Sequence, residues 1–291
     1  MAASNHSMTE RQPLPTAPTR RYRSQSLMDA AGERLRGLPL GSRLRRWGRT
    51  AYHAAWMLQT GGRGLSCTLP SGELVRVLPE HRYLSWNPAE YAAFRGTVRS
   101  GSVALDVGAN VGAYAVLLGQ WVGASGRVYA FEPSPVAFRG LVRHIELNAR
   151  DGVVTPVAAA VADRDGTGDL IVAGTAGESR LAGGVERGRT LSVPTVTIDS
   201  FCAREGLQPS FIKIDVEGAE LAVLRGARET IRRGGDALAL FVELHPSIWS
   251  LAEATRADFE SELERQRLKV EPLTSDDPWS VEGMVVRLVP R

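Results

Sequence analysis

Cysteine is nearly absent: Cys67 and Cys202 are the two thiols in 291 residues, far apart and in no CxxC pair. That excludes a disulfide framework, gives no sign of a zinc site and suits a reducing cytoplasm. Lysine is as scarce, with Lys213 and Lys269 alone among 35 basic residues; beside so much Ala, Gly and Arg this reads as codon usage rather than chemistry. No run of about 18 apolar residues occurs, so no segment is expected to span a bilayer. The N-terminus shows no charged-then-apolar leader pattern, and a cytoplasmic protein is expected. The net charge of +3 is too small to argue by itself for nucleic acid as a partner.

What is present is ordinary globular stock, 43% hydrophobic and 23% charged, enough for a sizeable core. The charge is unevenly placed. Residues 1–50 carry ten arginines against Glu10, Asp29 and Glu33, a surplus of seven, which leaves the remainder net acidic by four. Residues 1–24, polar and broken by Pro13, Pro15 and Pro18, read as a disordered tail. Residues 25–64 read as a basic helical extension, with Leu44, Trp47, Tyr52 and Trp56 among arginines and a break at Gly37, Pro39 and Gly41. Residues 65–100 form a small β/α lead-in, a hairpin around Pro70-Ser-Gly72 followed by a helix over 88–98.

Residues 101–291 then alternate in the βα manner of a parallel sheet. Strands are expected over 103–107, 128–132, 153–158, 211–215 and 237–244, and helices over 112–121, 135–148, 199–204, 219–233 and 253–266. Residues 169–172 and 190–193 suit a local antiparallel pair, and the last two strands, 268–271 and 284–288, lack room for a crossover helix and should be antiparallel. The expected fold is α/β, a Rossmann-like seven-stranded sheet, mostly parallel with a C-terminal antiparallel pair.

The first strand runs into a glycine loop, Ala104-Leu-Asp-Val-Gly-Ala-Asn-Val-Gly112. A dinucleotide fold would want G-x-G-x-x-G there, with backbone N–H groups facing a pyrophosphate. Here Gly108 and Gly112 flank Asn110 and the middle glycine is missing. Asp106, at the mouth of the loop, would repel phosphates. S-adenosylmethionine carries a sulfonium and an α-ammonium and no phosphate, so a carboxylate attracts it while the glycines let the backbone come close. Glu132, followed by Pro133, ends the second strand twenty residues after Gly112, where doubly wound folds place an acid that accepts bonds from ribose hydroxyls.

Together DVGANVGAYA at 106–115, VYAFEPSP at 128–135, Asn148, TIDSF at 197–201 and FIKIDVEGAELAVLRGA at 211–227 resemble the FkbM-type methyltransferases. The resemblance covers roughly residues 65–245 and implies the class I methyltransferase sheet, S-adenosylmethionine as donor and, usually, O-methylation of a hydroxyl. The implied acceptors are natural products of polyketide type, sugars and glycan or glycolipid components. Glu90 matches an acid the family often places near the methionine end of the cofactor. The basic N-terminus lies outside the resemblance and inherits nothing from it. Its arginines and tryptophans suit a membrane surface or an acidic carrier protein, or else packing on the body.

Asp106, Glu132, Asp215, Glu243 and His245 all fall at carboxyl ends of expected strands, where one pocket can gather them. Removing a hydroxyl proton needs a base or a metal. Asp215, Glu217, Glu243 and His245 are the candidate bases, and His245 is favoured because imidazole titrates near neutrality. Lys213, alternating with Asp215 on one strand face, is expected to pair with an acid. Asp215 with Glu217 or Glu243 could hold Mg²⁺, but no ligand spacing compels it, and a metal-free enzyme is the favoured reading. The fourth strand ends in Asp215-Val-Glu-Gly218 rather than the Asn/Asp-Pro-Pro-Tyr/Phe of amino-directed base methyltransferases, and neither cysteine is placed for a pyrimidine C5 enzyme. With an acidic body, nucleic acid is set aside and a hydroxyl acceptor remains. The alternatives are a cofactor-binding module without turnover, or methylation of nitrogen or of a lipid-linked glycan.

Overall fold

A computed structural model describes residue 34 and residues 43–82, 84–171, 180–181, 190–274 and 277–291. The tail expected over 1–24 and the first piece of the helical extension lie outside the described residues.

The described chain opens with α1 (Arg43–Gln59) and a hairpin of β1 (Leu65–Thr68) and β2 (Leu74–Val77), paired antiparallel. A 3₁₀ turn, Pro79–His81, leads to α2 (Pro88–Thr97), whose N-cap Asn87 accepts from the Ala89 amide. The body follows in strict alternation: β3 (Val103–Val107), α3 (Ala113–Val122), β4 (Arg127–Phe131), α4 (Pro135–Leu147) and β5 (Val154–Val157). After β6 (Ala160–Val161), β7 (Gly166–Ile171), β8 (Arg180–Leu181) and β9 (Thr190–Val196), the pattern resumes with α5 (Ile198–Glu205) and β10 (Phe211–Ile214). It closes with α6 (Glu220–Arg225), α7 (Arg228–Gly234), β11 (Ala239–Leu244), α8 (Arg256–Gln266), β12 (Leu268–Pro272) and β13 (Met284–Pro290).

Seven strands form the main sheet in the order β12-β13-β11-β10-β3-β4-β5. Strands β11, β10, β3, β4 and β5 are parallel, and β13 runs antiparallel to both β11 and β12, as expected. The central strands are buried because helices cover both faces, and they are apolar except for Asp106 on β3 and Lys213 on β10: every residue of β10 is buried. The order reverses at β3, which puts a crevice at the carboxyl ends of β3, β4 and β10. Strands β7 and β9 form the expected antiparallel pair, and β6 and β8 extend it into a second, four-stranded sheet.

Two expected helices need correction. The span 219–233 is two helices because Gly226 and Ala227 break it. A Cβ at Gly226 would lie 2.1 Å from the Ala162 carbonyl oxygen, and the Gly226 carbonyl accepts from the Asp199 amide. Asp199, in the TIDSF stretch, then caps α7 through the Glu229 and Thr230 amides at 3.0 and 2.7 Å. The last helix starts at Arg256 rather than 253, since Thr255 and Asp258 form a capping box and Glu253, with φ of 53°, ends a 3₁₀ segment at Pro246–Ala252. In the extension, Tyr52 and Trp56 are buried against the body, with the Arg82 guanidinium over the Tyr52 ring, while Leu44, Trp47 and Leu58 are exposed. Trp56 is therefore a core residue and is removed from the interfacial pair the sequence offered.

Candidate active site

Asp106, near the end of β3, faces Lys213 in register on β10. The Lys213 Nζ donates to Asp215 Oδ2 at 2.9 Å and stands 4.0 Å from Asp106 Oδ1, which is the ion pair expected from the alternation. Asp106 is fully buried, and its oxygens make no hydrogen bond of ideal geometry; the Lys213 ammonium, 4.0 Å away, and the Ala115 backbone amide are the groups that favour its charge. Burial pushes its carboxyl up to about 6, with Lys213 opposing the rise. For Lys213, burial works to lower the pKa, but Asp215, Asp106 and Glu243 more than offset it and hold the ammonium charged.

Glu90 joins this group from α2. Phe94, one turn on, packs edge-to-face on Phe241 at 4.8 Å and on Phe211 at 5.5 Å, which fixes the helix over the sheet. Tyr114 donates to Glu90 Oε2 at 2.8 Å. Burial raises the Glu90 pKa, and burial together with Asp215 raises that of Glu243 to about 8. Four carboxylates, those of Glu90, Asp106, Asp215 and Glu243, thus share one lysine. The group has room for further positive charge.

Beside it opens a cleft at the carboxyl ends of β3, β4 and β10. Gly108, Asn110, Glu132, Pro133, Asp215 and Glu217 are among the residues that line it. Gly108 has φ of 81°, and a Cβ there would sit 1.6 Å from the Asp215 carbonyl oxygen, so only glycine lets the two loops touch. Gly112 begins α3 as its left-handed N-cap. Glu132 accepts from the Asn110 amide at 2.9 Å and the Ser134 amide at 2.7 Å, which aims its carboxylate along the cleft wall. Burial pushes Glu132 up to about 7.

His245, past the end of β11, does not titrate near neutrality as the sequence suggested. Burial disfavours its charge, but Glu220, Glu217 and Asp215 outweigh burial and raise it to about 9. Its Nδ1 bonds Glu220 Oε1 at 2.8 Å, and its Nε2 lies 3.6 Å from Glu217 Oε2 and 3.8 Å from Glu243 Oε1. Glu220 was not singled out from sequence. It is wholly buried and also accepts from the Gly218 amide and the Trp249 indole. His144 was likewise missed, because a helical histidine carries no local signal. It bonds Val111 O in the glycine loop at 2.6 Å through Nδ1, and its Nε2 accepts from the Leu78 amide at 2.9 Å.

A doubly wound sheet with a glycine loop, an acid at the end of β4 and a carboxylate-rich crevice at the reversal of strand order defines the class I methyltransferase arrangement. The model of the FkbM methyltransferase domain matches residues 106–265, and the chain belongs to that family and is a methyltransferase. Among curated proteins none matches it. Similar solved structures include an FkbM methyltransferase of Methylobacillus flagellatus KT, 19% identical with a TM-score of 0.45, where 66% of this chain is covered and the chain spans 45% of that protein. An S-adenosylmethionine-dependent O-methyltransferase of Thermotoga maritima is 12% identical over 80% of this chain and 81% of its own, with a TM-score of 0.45. Aeropyrum pernix fibrillarin, solved with bound S-adenosylmethionine, is 15% identical over 77% and 93%, with a TM-score of 0.40.

Proposed function

We propose that the chain transfers the methyl group of S-adenosylmethionine to a hydroxyl oxygen of a small molecule, natural product or sugar. The observation that carries the cofactor reading is Asp106, fully buried at the crevice and sharing one lysine with three further carboxylates. A buried carboxylate that shares its only cation with three others favours an additional positive charge, and a phosphate would worsen the charge. When bound, S-adenosylmethionine supplies an electrophilic methyl and two positive charges. Asp106 and Glu90 would hold the methionine end, Glu132 the ribose, and Gly108, Asn110 and Pro133 the walls around the nucleoside. Those positive charges draw nearby carboxyl pKa values down, so Glu243 is ready to lose its proton and accept the one from the acceptor hydroxyl. Asp215 keeps Lys213 fixed beneath them. Oxygen rather than nitrogen as acceptor is supported by the Asp215-Val-Glu-Gly218 loop, which offers no stacked-ring grip of the Pro-Pro-Tyr kind.

Calorimetry tests this reading. S-adenosylhomocysteine should bind and NADH give no heat. Asp106→Ala and Glu132→Ala should each weaken binding by roughly 1–3 kcal/mol, the scale of a lost charge-assisted hydrogen bond. Unchanged affinity in both variants removes the pocket from consideration. With methyl-labelled donor, hydroxylated acceptors should take up label while their amine counterparts do not.

A further inference from the structure

Asp215, Glu217 and His245 bring one ligand atom each to within 4.8 Å of one another, although they come from two different strand ends. We propose that they bind a divalent transition-metal ion next to the cofactor cleft. Three donors bonded at about 2.0–2.2 Å to one tetrahedral ion lie roughly 3.3–3.6 Å from one another, so the widest pair of the cluster has to close by about 1 Å, a movement within side-chain reach of the half-exposed Glu217.

The imidazole is set as a ligand. Its Nδ1 is taken by Glu220, which is itself clamped by the Gly218 amide and the Trp249 indole, each at 2.8 Å. Trp249 in turn stacks on Phe259 at 5.2 Å. That leaves Nε2 as the free ring nitrogen, 95% of the residue being buried and Nε2 pointing at Glu217 and Glu243 across gaps too long for hydrogen bonds. A carboxylate behind a histidine whose other nitrogen meets further carboxylates is the arrangement that orients metal-bound imidazoles. One of the Asp215 oxygens is held by Lys213, which fixes that carboxylate too. An imidazole nitrogen in the donor set selects Mn²⁺ or Zn²⁺ over Mg²⁺, which prefers oxygen and retains its water.

Its role rests on the methyl-transfer reading: Asp215 and Glu217 also line the cleft, so the ion stands where an acceptor hydroxyl would lie and would acidify it. The O–H bond then breaks with its proton passing to Glu243. The new O–CH₃ bond forms as the S–CH₃ bond breaks, and that electron pair stays on sulfur.

The test uses the full chain, stripped with EDTA and titrated with Mn²⁺ under electron paramagnetic resonance. The expected result is about one Mn²⁺ bound per chain, resistant to excess Mg²⁺. Binding should weaken by about 10–100-fold in Glu217→Gln, and the Mn²⁺ spectrum should change in Glu220→Gln, which disturbs the orienting partner. The Glu217 side chain is 36% exposed, so its variant should fold, and an unchanged melting temperature verifies that. No stoichiometric Mn²⁺, displacement by equimolar Mg²⁺, or equal affinity in folded Glu217→Gln overturns the proposal. S-adenosylhomocysteine binding to the same metal-free samples is measured in parallel. Its loss would strike the cofactor reading and leave the ion site standing, and the converse result would do the opposite.

Discussion

Asp106 combines complete burial with a pKa near the working range, and if it faces the cofactor as proposed, cofactor affinity should depend on pH in a definite direction. Its carboxyl is raised to about 6, burial being the main cause. A cationic ligand binds the ionised form, so affinity for S-adenosylmethionine should be full above that value and fall as pH drops below it, approaching tenfold per unit. Between pH 7 and pH 5 the wild type should lose affinity more steeply than Asp106→Asn, which starts weaker and has no charge there to lose. Parallel slopes in the two proteins would show that Asp106 does not face the cation. Asp106 was legible in the sequence because its chemistry is local: an acid in a loop that normally meets phosphate contradicts its surroundings. Glu220 was not legible. A Glu two residues after a glycine carries no mark of burial until the indole of Trp249 and the ring of His245 are folded onto it.

Between elements, the hairpin is tied to the body by side chains that replace strand pairing. Asn148, at the end of α4, accepts from the Arg76 amide at 2.7 Å and donates to the Arg76 carbonyl at 2.8 Å, as a neighbouring strand would. One turn earlier His144 bridges Leu78 and Val111. It can do so only neutral, with Nδ1 protonated and Nε2 accepting, and burial accordingly pushes its pKa down to about 4. Since the folded value lies below the unfolded one, this stabilisation is complete above about pH 6.5 and is lost as pH falls towards 4, a change of about 3 kcal/mol. Denaturant melts of wild type and His144→Gln at pH 7 and pH 4.5 should show the stability difference shrinking in acid; a constant difference would mean that the histidine does not titrate on unfolding. The element order was readable because apolar strands, glycine loops and Pro135 at a helix start are periodic or local signals. The break at Gly226 was not, since it is forced by the Ala162 carbonyl from a distant segment.

For the whole molecule, the stretch that defines the family, 106–265, is not the whole folding unit. It omits β13, which covers the outer edge of β11, and α2, whose Phe94 closes the aromatic cluster on Phe211 and Phe241. Residues 106–265 expressed alone should therefore show no cooperative thermal transition, where the full chain should melt in one. A sharp transition in the fragment would show that the flanking elements are accessory. Among the described residues no helix is long and apolar enough to cross a membrane.

The antiparallel placement of β13 between β11 and β12 also imposes a timetable. β11 finds its neighbour β10 among residues already made, but its other partner is encoded only at Met284–Pro290. At ribosomal speeds of about 5–20 residues per second the interval lasts some seconds. Throughout it, the strand bearing Glu243 and leading to His245 remains an open edge. The glycine loop and Glu132, carried by β3 and β4, can thus take shape before the segment bearing Glu243 and His245 is closed by its last neighbour.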